Sequence, residues 1–325
     1  MNNFKMAQPQ SIEQVKQLFS EPRNKYFFIA GGTDLLGEIK DEIIFPEVVV
    51  DLKSIPELSY IEKDKGGAAR IGALTTVAEL AENSMIRKEY SGLHQAASAV
   101  ATPQLRHMGT VGGNLCQRPR CWYYRDPQIK CRKKGGSRCF AIRGKNKYHA
   151  IMGGGICNIV HPSDLAPMLM ALEAEILIAS PKRDKVIPLK NFFILPKVNV
   201  RRENILAPGE IIKEVKIPAA KSGEKSTYLK LRERGAWDFA LVSAAVKALV
   251  KDHTFKQVKI VLGGVAPIPW RLKKAESLIQ GQKITKDLIK RAVRYALKET
   301  RPLSDNAYKK ELAEVAVSRA AMSLV

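Results

Sequence analysis

All five cysteines of this 325-residue chain, Cys116, Cys121, Cys131, Cys139 and Cys157, fall within 42 consecutive positions, and the other 283 residues hold none. Five is an odd number and too few for a disulfide scaffold at this length, so the clustering points to a metal site in a reducing compartment. From Cys121 onward the intervals are nine, seven and seventeen residues. Structural zinc sites carry short C-x2–4-C knuckles, and these spacings contain none. Four thiolates on a long irregular stretch with Gly135-Gly136 and Gly153-Gly154-Gly155 suit a cubane iron–sulfur cluster better, because glycine lets backbone N–H groups approach the sulfurs. Spacing alone leaves zinc and free thiols open. It also leaves Cys116 as either a substitute ligand or a small buried thiol.

The formal charge is +22, which first suggests nucleic acid. The charge is not spread evenly. Between Arg118 and Lys147 there are eleven Lys and Arg and one acid, Asp126, so these 30 residues carry +10. Trp122-Tyr123-Tyr124 lie within the same stretch and offer stacking surfaces. Three readings remain: a nucleic-acid face, a solvated basic loop, or cations stabilising an anionic iron–sulfur core. A hydrophobic content of 45% excludes a disordered chain, and no apolar run reaches the roughly 18 residues of a membrane span. The polar start, MNNFKMAQPQ, does not resemble a secretory signal.

Elsewhere strands and helices alternate. Ser11 is placed to cap a helix with Val15, Leu18 and Phe19 on one face, and Tyr26–Ala30, Val48–Val50 and Ala69–Ala73 read as strands. Thr75-Thr76 precede a helix over Val77–Glu82, and a small-residue helix over Gly92–Ala101 should end at Thr102-Pro103. Leu165–Leu172 follows the caps Ser163 and Asp164. Strands at Ile176–Ala179 and Ile211–Ile217 come next, and Pro218–Ser226 has linker composition. In the tail, Thr227–Arg232 and Val258–Leu262 read as strands, Phe239–Val250 is ambiguous, and helices are expected near Lys286–Lys298 and Ala307–Ala321.

Two glycine turns can carry chemistry. Gly31-Gly32 and Gly112-Gly113 each read as following a strand, where successive N–H groups can converge on an anion. Thr33, Thr110 and Asn114 add donors suited to pyrophosphate oxygens, although a Gly pair often does no more than make a turn. G-x-G-x-x-G, the P-loop and H-E-x-x-H are all absent, so any nucleotide is held in another way. Ser163 or Asp164, after His161, can bond a ribityl hydroxyl or cap the next helix. His94, His107, His149 and His253 have no partner legible in the sequence.

Ala30-Gly31-Gly32-Thr33-Asp34-Leu35, Thr110-Val111-Gly112-Gly113-Asn114-Leu115 and Ser163-Asp164-Leu165 together resemble the flavin-binding subunit of the molybdenum hydroxylases. That family includes the carbon monoxide dehydrogenase medium subunit and the FAD portion of xanthine dehydrogenase. Tyr228-Leu229-Lys230 with Asp238-Phe239-Ala240 looks like the start of its C-terminal domain. The stretch from Arg120-Cys121-Trp122 to Cys157 resembles the inserted [4Fe–4S] segment of bacterial aldehyde oxidoreductase and 4-hydroxybenzoyl-CoA reductase flavin subunits. The resemblance implies an α+β fold of the vanillyl-alcohol-oxidase/PCMH type, with a C-terminal sheet-plus-helices domain of the CO dehydrogenase flavoprotein type. Its parts would be residues 1–55, residues 56–217 with the insertion at about 116–158, and residues 225–325.

Carried over by position, Ala30, Gly31, Gly32, Thr33, Asp34 and Leu35 would line the FAD diphosphate, with Thr110, Gly113 and Asn114 opposite. Ser163 and Asp164 would lie toward the adenosine or ribityl side and Lys230 near the isoalloxazine. Cys121, Cys131, Cys139 and Cys157 would ligate the cluster, leaving Cys116 outside the set. The resemblance further implies an oxidoreductase subunit relaying electrons between a molybdenum subunit, a [2Fe–2S] subunit and an outside partner, either an acidic carrier such as ferredoxin or NAD. No catalytic acid, base or nucleophile is expected in this chain. A cytoplasmic location is expected, with export alongside a partner subunit left open. The alternatives are a nucleic-acid-binding protein with a structural zinc loop and a stand-alone flavin oxidoreductase.

Overall fold

In the computed structural model, which describes residues 3–19 and 25–325, the chain builds three β-sheets in succession. The first is a small parallel sheet of β1 (Lys5–Ala7), β2 (Tyr26–Ile29) and β3 (Val48–Asp51), ordered β1-β3-β2, with α1 (Ile12–Leu18) and α2 (Leu35–Lys40) as crossovers. Ser11 Oγ accepts the Gln14 N–H and starts α1, whose Ile12 and Val15 are buried. Val49 and Val50 of the central strand are fully buried, as a strand between two neighbours in a parallel sheet requires.

The second sheet contains β4 (Ile61–Lys63) and β5 (Ala69–Gly72), and is completed much later in the chain. Between lie α3 (Val77–Glu82), α4 (Ser84–Glu89), α5 (Ser91–Ser98), α6 (Pro103–Met108), α7 (Val111–Cys116), the short α8 (Trp122–Arg125) and α9 (Leu165–Ala171). The returning strands β6 (Glu175–Ala179), β7 (Lys185–Pro188) and β8 (Ile211–Ile217) give the antiparallel order β4-β5-β8-β6-β7. One face packs on α3, α5, α7 and α9 through Ile71, Leu80, Leu93, Leu169 and Val215, all fully buried. Thr76 and Glu79 form a capping box that fixes the start of α3.

The third sheet is a meander, β9 (Glu224–Leu231), β10 (Val242–Lys251), β11 (Thr254–Gly263) and β12 (Trp270–Arg271), followed by α10 (Lys273–Ile279), α11 (Lys286–Ala296) and α12 (Lys309–Met322). The period of two shows directly in its packing. Val258, Ile260 and Leu262 turn toward these helices, whereas Val261 and Ala245 join the core around α9. The third unit is thus packed on the second.

Several sequence expectations change. The small-residue helix stops at Ser98. Pro103 does not end it but opens α6, where a proline lacking an N–H costs nothing in the first turn. Gly112-Gly113 does not follow a strand: it lies inside α7, which follows α6 and is capped by Thr110. The ambiguous Phe239–Val250 stretch becomes β10 from Val242, because both of its faces are covered. β9 begins at Glu224, inside the segment of linker composition. Among the described residues, no helix is long and apolar enough to cross a membrane.

A candidate flavin cavity beside a cysteine-lined pocket

The turn after β2 and the start of α7 face each other across a cavity of about 620 Å3, within the roughly 300–1,000 Å3 typical of cofactor sites. Their approach depends on Gly31. A Cβ there would stand 1.8 Å from the Met108 carbonyl oxygen, so no other residue lets the two turns meet. Ala30, Gly31, Gly32, Thr33, Asp34 and Leu35 all line the cavity, and Thr110, Gly113, Asn114 and Asp164 line it from the second unit. The third unit contributes Arg234, Trp237, Asp238 and Phe239.

The other two expected residues stand behind this wall. Ser163 Oγ donates to Asn114 Oδ1 at 2.5 Å and accepts the Ala166 N–H at 2.9 Å, so it orients a lining residue and caps α9 together. Lys230 Nζ donates to Asp164 Oδ2 at 2.7 Å and to the Ala99 carbonyl at 3.0 Å, and Tyr228 OH donates to Asp164 Oδ1 at 2.7 Å. Burial pushes the Asp164 carboxyl up, and the Lys230 ammonium and the two hydrogen bonds oppose that shift. The third sheet is thereby tied to the cavity by a buried ion pair.

The cavity mouth is strained. Ala101 (φ 42°) and Trp237 (φ 51°) both sit in the left-handed region that disfavours side chains, and the Trp237 N–H donates to the Ala101 carbonyl at 3.2 Å. Trp237 is 64% exposed. No glycine or periodicity marks these residues in the sequence, although Asp238-Phe239 falls in a segment noted for resemblance alone.

Cys121, Cys131, Cys139 and Cys157 line a second, small pocket, and none of them is bonded to another cysteine. Cys116 is not among them. It lines the large cavity instead, and burial pushes its thiol up to about 12. Burial likewise pushes Cys121 to about 12 and Cys157 to about 11, the latter opposed by the Lys133 ammonium. The glycine of this loop that matters most is Gly136, where a Cβ would meet the Lys130 carbonyl oxygen at 1.8 Å. Among the described residues, no group of three or more His, Cys, Asp or Glu is disposed to hold a single metal ion. The donor chemistry of four free thiols around one pocket nevertheless suits an iron–sulfur core, which is bound through several iron atoms.

His149, without a partner in the sequence reading, has one in the fold: its Nε2 stands 3.2 Å from Cys121 Sγ. Asn158 Nδ2 donates to Cys139 Sγ at 3.7 Å. The contacts span 28 and 19 residues of largely irregular chain, where no local pattern could reveal them.

The basic run divides in two. Lys130, Arg132, Arg138, Arg143, Lys145 and Lys147 are exposed. Arg118, Arg120, Arg125 and Lys133 turn inward to acids, and Lys134 donates to the Asp126 backbone carbonyl. Arg125 Nη2 and Arg120 Nη1 reach Asp34 Oδ1 at 2.6 and 2.5 Å, and the Arg118 backbone N–H donates to Asp34 Oδ2 at 2.6 Å. Arg118 Nε lies 2.5 Å from Glu203 Oε2, and Lys133 pairs with the same carboxylate. Tyr124 OH donates to Glu38 Oε1 at 2.5 Å, and burial raises the Glu38 carboxyl above its ordinary range. A nucleic-acid face would require these cations outside.

A Gly-lined cavity where the three units meet, with an ion-paired carboxylate in its wall, is a site built for an anionic cofactor in a protein of mixed α and β structure. Residues 2–220 match the family model described as the FAD binding domain in molybdopterin dehydrogenase, and residues 226–324 match the CO dehydrogenase flavoprotein C-terminal domain. The chain belongs to the family of FAD-binding subunits of the molybdenum hydroxylases. It is 36% identical over 291 residues to the aldehyde oxidoreductase FAD-binding subunit PaoB of Escherichia coli (strain K12), covering 88% of this chain and 87% of that one. It is 26% identical over 303 residues to the carbon monoxide dehydrogenase medium chain of Hydrogenophaga pseudoflava, covering 93% and 88%. A solved carbon monoxide dehydrogenase from the same organism superposes with a TM-score of 0.79 at 24% identity over 99% of this chain and 97% of that chain, a likeness of fold. The expected fold and oxidoreductase-family membership therefore hold.

Proposed function

We propose that this chain is the electron-relaying FAD subunit of a molybdenum-dependent hydroxylase or dehydrogenase. Its substrate would be an aldehyde, an aromatic heterocycle or a hydroxybenzoyl-CoA. A molybdenum-cofactor subunit would carry out the substrate chemistry, and a [2Fe–2S] subunit would pass electrons to this one. The observation that carries the reading is the cavity, in which both glycine motifs face each other and Asp164 is held by Lys230. When bound, FAD supplies both one-electron and hydride exchange. The chain's own residues bind and orient it. Ala30 to Leu35 and Thr110 to Asn114 would hold the diphosphate, Asp164 would face the ribityl or adenosine side, and Lys230 would fix the Asp164 carboxylate.

The same reading gives Cys121, Cys131, Cys139 and Cys157 to a [4Fe–4S] cluster. It is supported by their shared pocket, the absence of a disulfide among them and the segregation of Cys116. Binding would require the thiols to release their protons, which the Lys133 ammonium favours at Cys157. The exposed Lys130, Arg132, Arg138, Arg143 and Lys145 suit an acidic carrier such as a ferredoxin, with NAD as the other acceptor class.

Purification of the native complex tests this. Flavin bands over broad iron–sulfur absorption, about four irons per flavin in this subunit, and co-purifying molybdenum are expected. Colourless protein holding one zinc per chain would refute the reading, and turnover by this chain alone would make it a stand-alone oxidoreductase. If turnover with an acidic carrier does not fall as salt rises, the docking face is wrong.

A further inference from the structure

The two glycine motifs bring backbone N–H groups to the cavity but no cation. Their charged member is an acid, Asp34, and the cavity wall also contains Glu38, Asp164 and Asp238. A diphosphate carries two negative charges, so a wall built from these residues alone would repel it. The cations of the cavity come from elsewhere: Arg234 from the third unit, and Arg118 and Arg120 from the start of the cysteine-rich loop.

Arg120 is the more telling of the pair. Its Nη1 is held by Asp34, one residue after Thr33 of the glycine turn, and its guanidinium lies 5.4 Å from the centre of the Phe239 ring. Its Nε is buried and has no hydrogen-bond partner among the described residues. Its carboxylate partner, Asp34 Oδ1, is shared with Arg125. A buried donor without a partner is costly. A cation sharing one carboxylate with a second cation is short of negative charge. Both deficits are met by an anion in the cavity.

We propose that the cysteine-rich loop supplies positive charge to the flavin diphosphate site, with Arg120 as the contacting cation, Asp34 as the residue that positions it, and Arg118 beside it held by Glu203. The inference rests on FAD occupying this cavity. Its consequence is that the loop carrying the four clustered thiols also fastens the flavin, so the two parts of the subunit fold and load together. Arg118 is anchored through Glu203, which also holds Lys133 inside the thiol pocket, so one acid spans both sites.

The test is FAD titration of flavin-stripped full-length protein, followed by fluorescence quenching over a range of KCl, with iron content measured on each sample. R120Q should raise the FAD Kd about tenfold and lessen its salt dependence, and R120K should restore most of the affinity. K256Q, which removes an exposed cation of β11 outside the cavity, should bind as the unaltered chain does. R120Q binding FAD as tightly as the unaltered chain would overturn the proposal. So would R120K failing as badly as R120Q, since charge would then not be the cause, or K256Q weakening equally. Should R120Q not fold, the unaltered protein still exposes the proposal to refutation. ADP should displace FAD better than adenosine, by a margin that shrinks with KCl, and equal displacement overturns the proposal. An unaltered chain that binds no FAD at all would instead sink the flavin reading itself.

Discussion

The Gly-lined cavity and the thiol pocket lie side by side but are made differently. The cavity is walled mainly by the ends of regular elements, namely the turn after β2, the capped start of α7 and the approach to α9, and is completed by residues 118–120 and 234–239. The pocket is walled almost wholly by one irregular loop, with its shape set by Gly136, the inward cations and two polar contacts to sulfur. A site on regular backbone is stabilised by the sheets and helices that position it. A site on a loop must draw stability from what the loop binds.

The largest effect should come from the pocket. Cys157→Ser is expected to abolish bound iron and to expose the 116–158 loop to protease, while Cys116→Ser leaves iron unchanged. Iron counted per flavin checks both, and iron retained in Cys157→Ser breaks the proposed ligand set. Gly31→Val strikes the cavity: with a Cβ 1.8 Å from the Met108 carbonyl, FAD content should fall more than tenfold. Flavin released by heat and read by fluorescence measures this. Normal flavin content would show that the two turns need not touch.

Lys230→Met asks how far the third sheet supports the cavity. It strands the buried Asp164 carboxylate, so a loss of about 3–5 kcal/mol in urea unfolding is expected. Adding Asp164→Asn should recover much of it, and strict additivity would mean the pair is not coupled. A smaller effect concerns pH. Burial lowers His161 from 6.5 to about 4, so between those values the unfolded chain takes up a proton that the native one excludes. Stability should therefore be lost as pH falls from 6.5 toward 4, by up to about 3 kcal/mol from this group. His161→Gln should flatten that fall in urea midpoints, and parallel slopes would contradict the assignment.

How much of this was legible depended on the range of the interaction. Ser11, Thr76 and Thr110 cap their helices through hydrogen bonds spanning three residues, so α1 and α3 could be read directly. Pro103 shows the limit: its restriction on the preceding residue is equally consistent with ending one helix and starting the next. The glycine motifs are visible as motifs, but no local signal distinguishes a Gly112-Gly113 turn after a strand from its actual place inside α7. Arg118 and Arg120 show in the sequence only as part of a basic run, because their partners, Asp34 and Glu203, lie more than 80 residues away.

By itself the sequence determined the local grammar of this protein: the caps, the strand and helix periods, the segregation of thiols and charge into one stretch, and the motifs of a flavin-binding family. Those signals rest on residues within a few positions of one another, where chain connectivity does the positioning. Tertiary structure alone decided which cations turn inward, that His149 meets Cys121, that Cys116 belongs to the cavity, and that Lys230 acts through Asp164. Each of those depends on bringing distant segments to within 3–4 Å, and the packing of whole sheets and helices sets that distance.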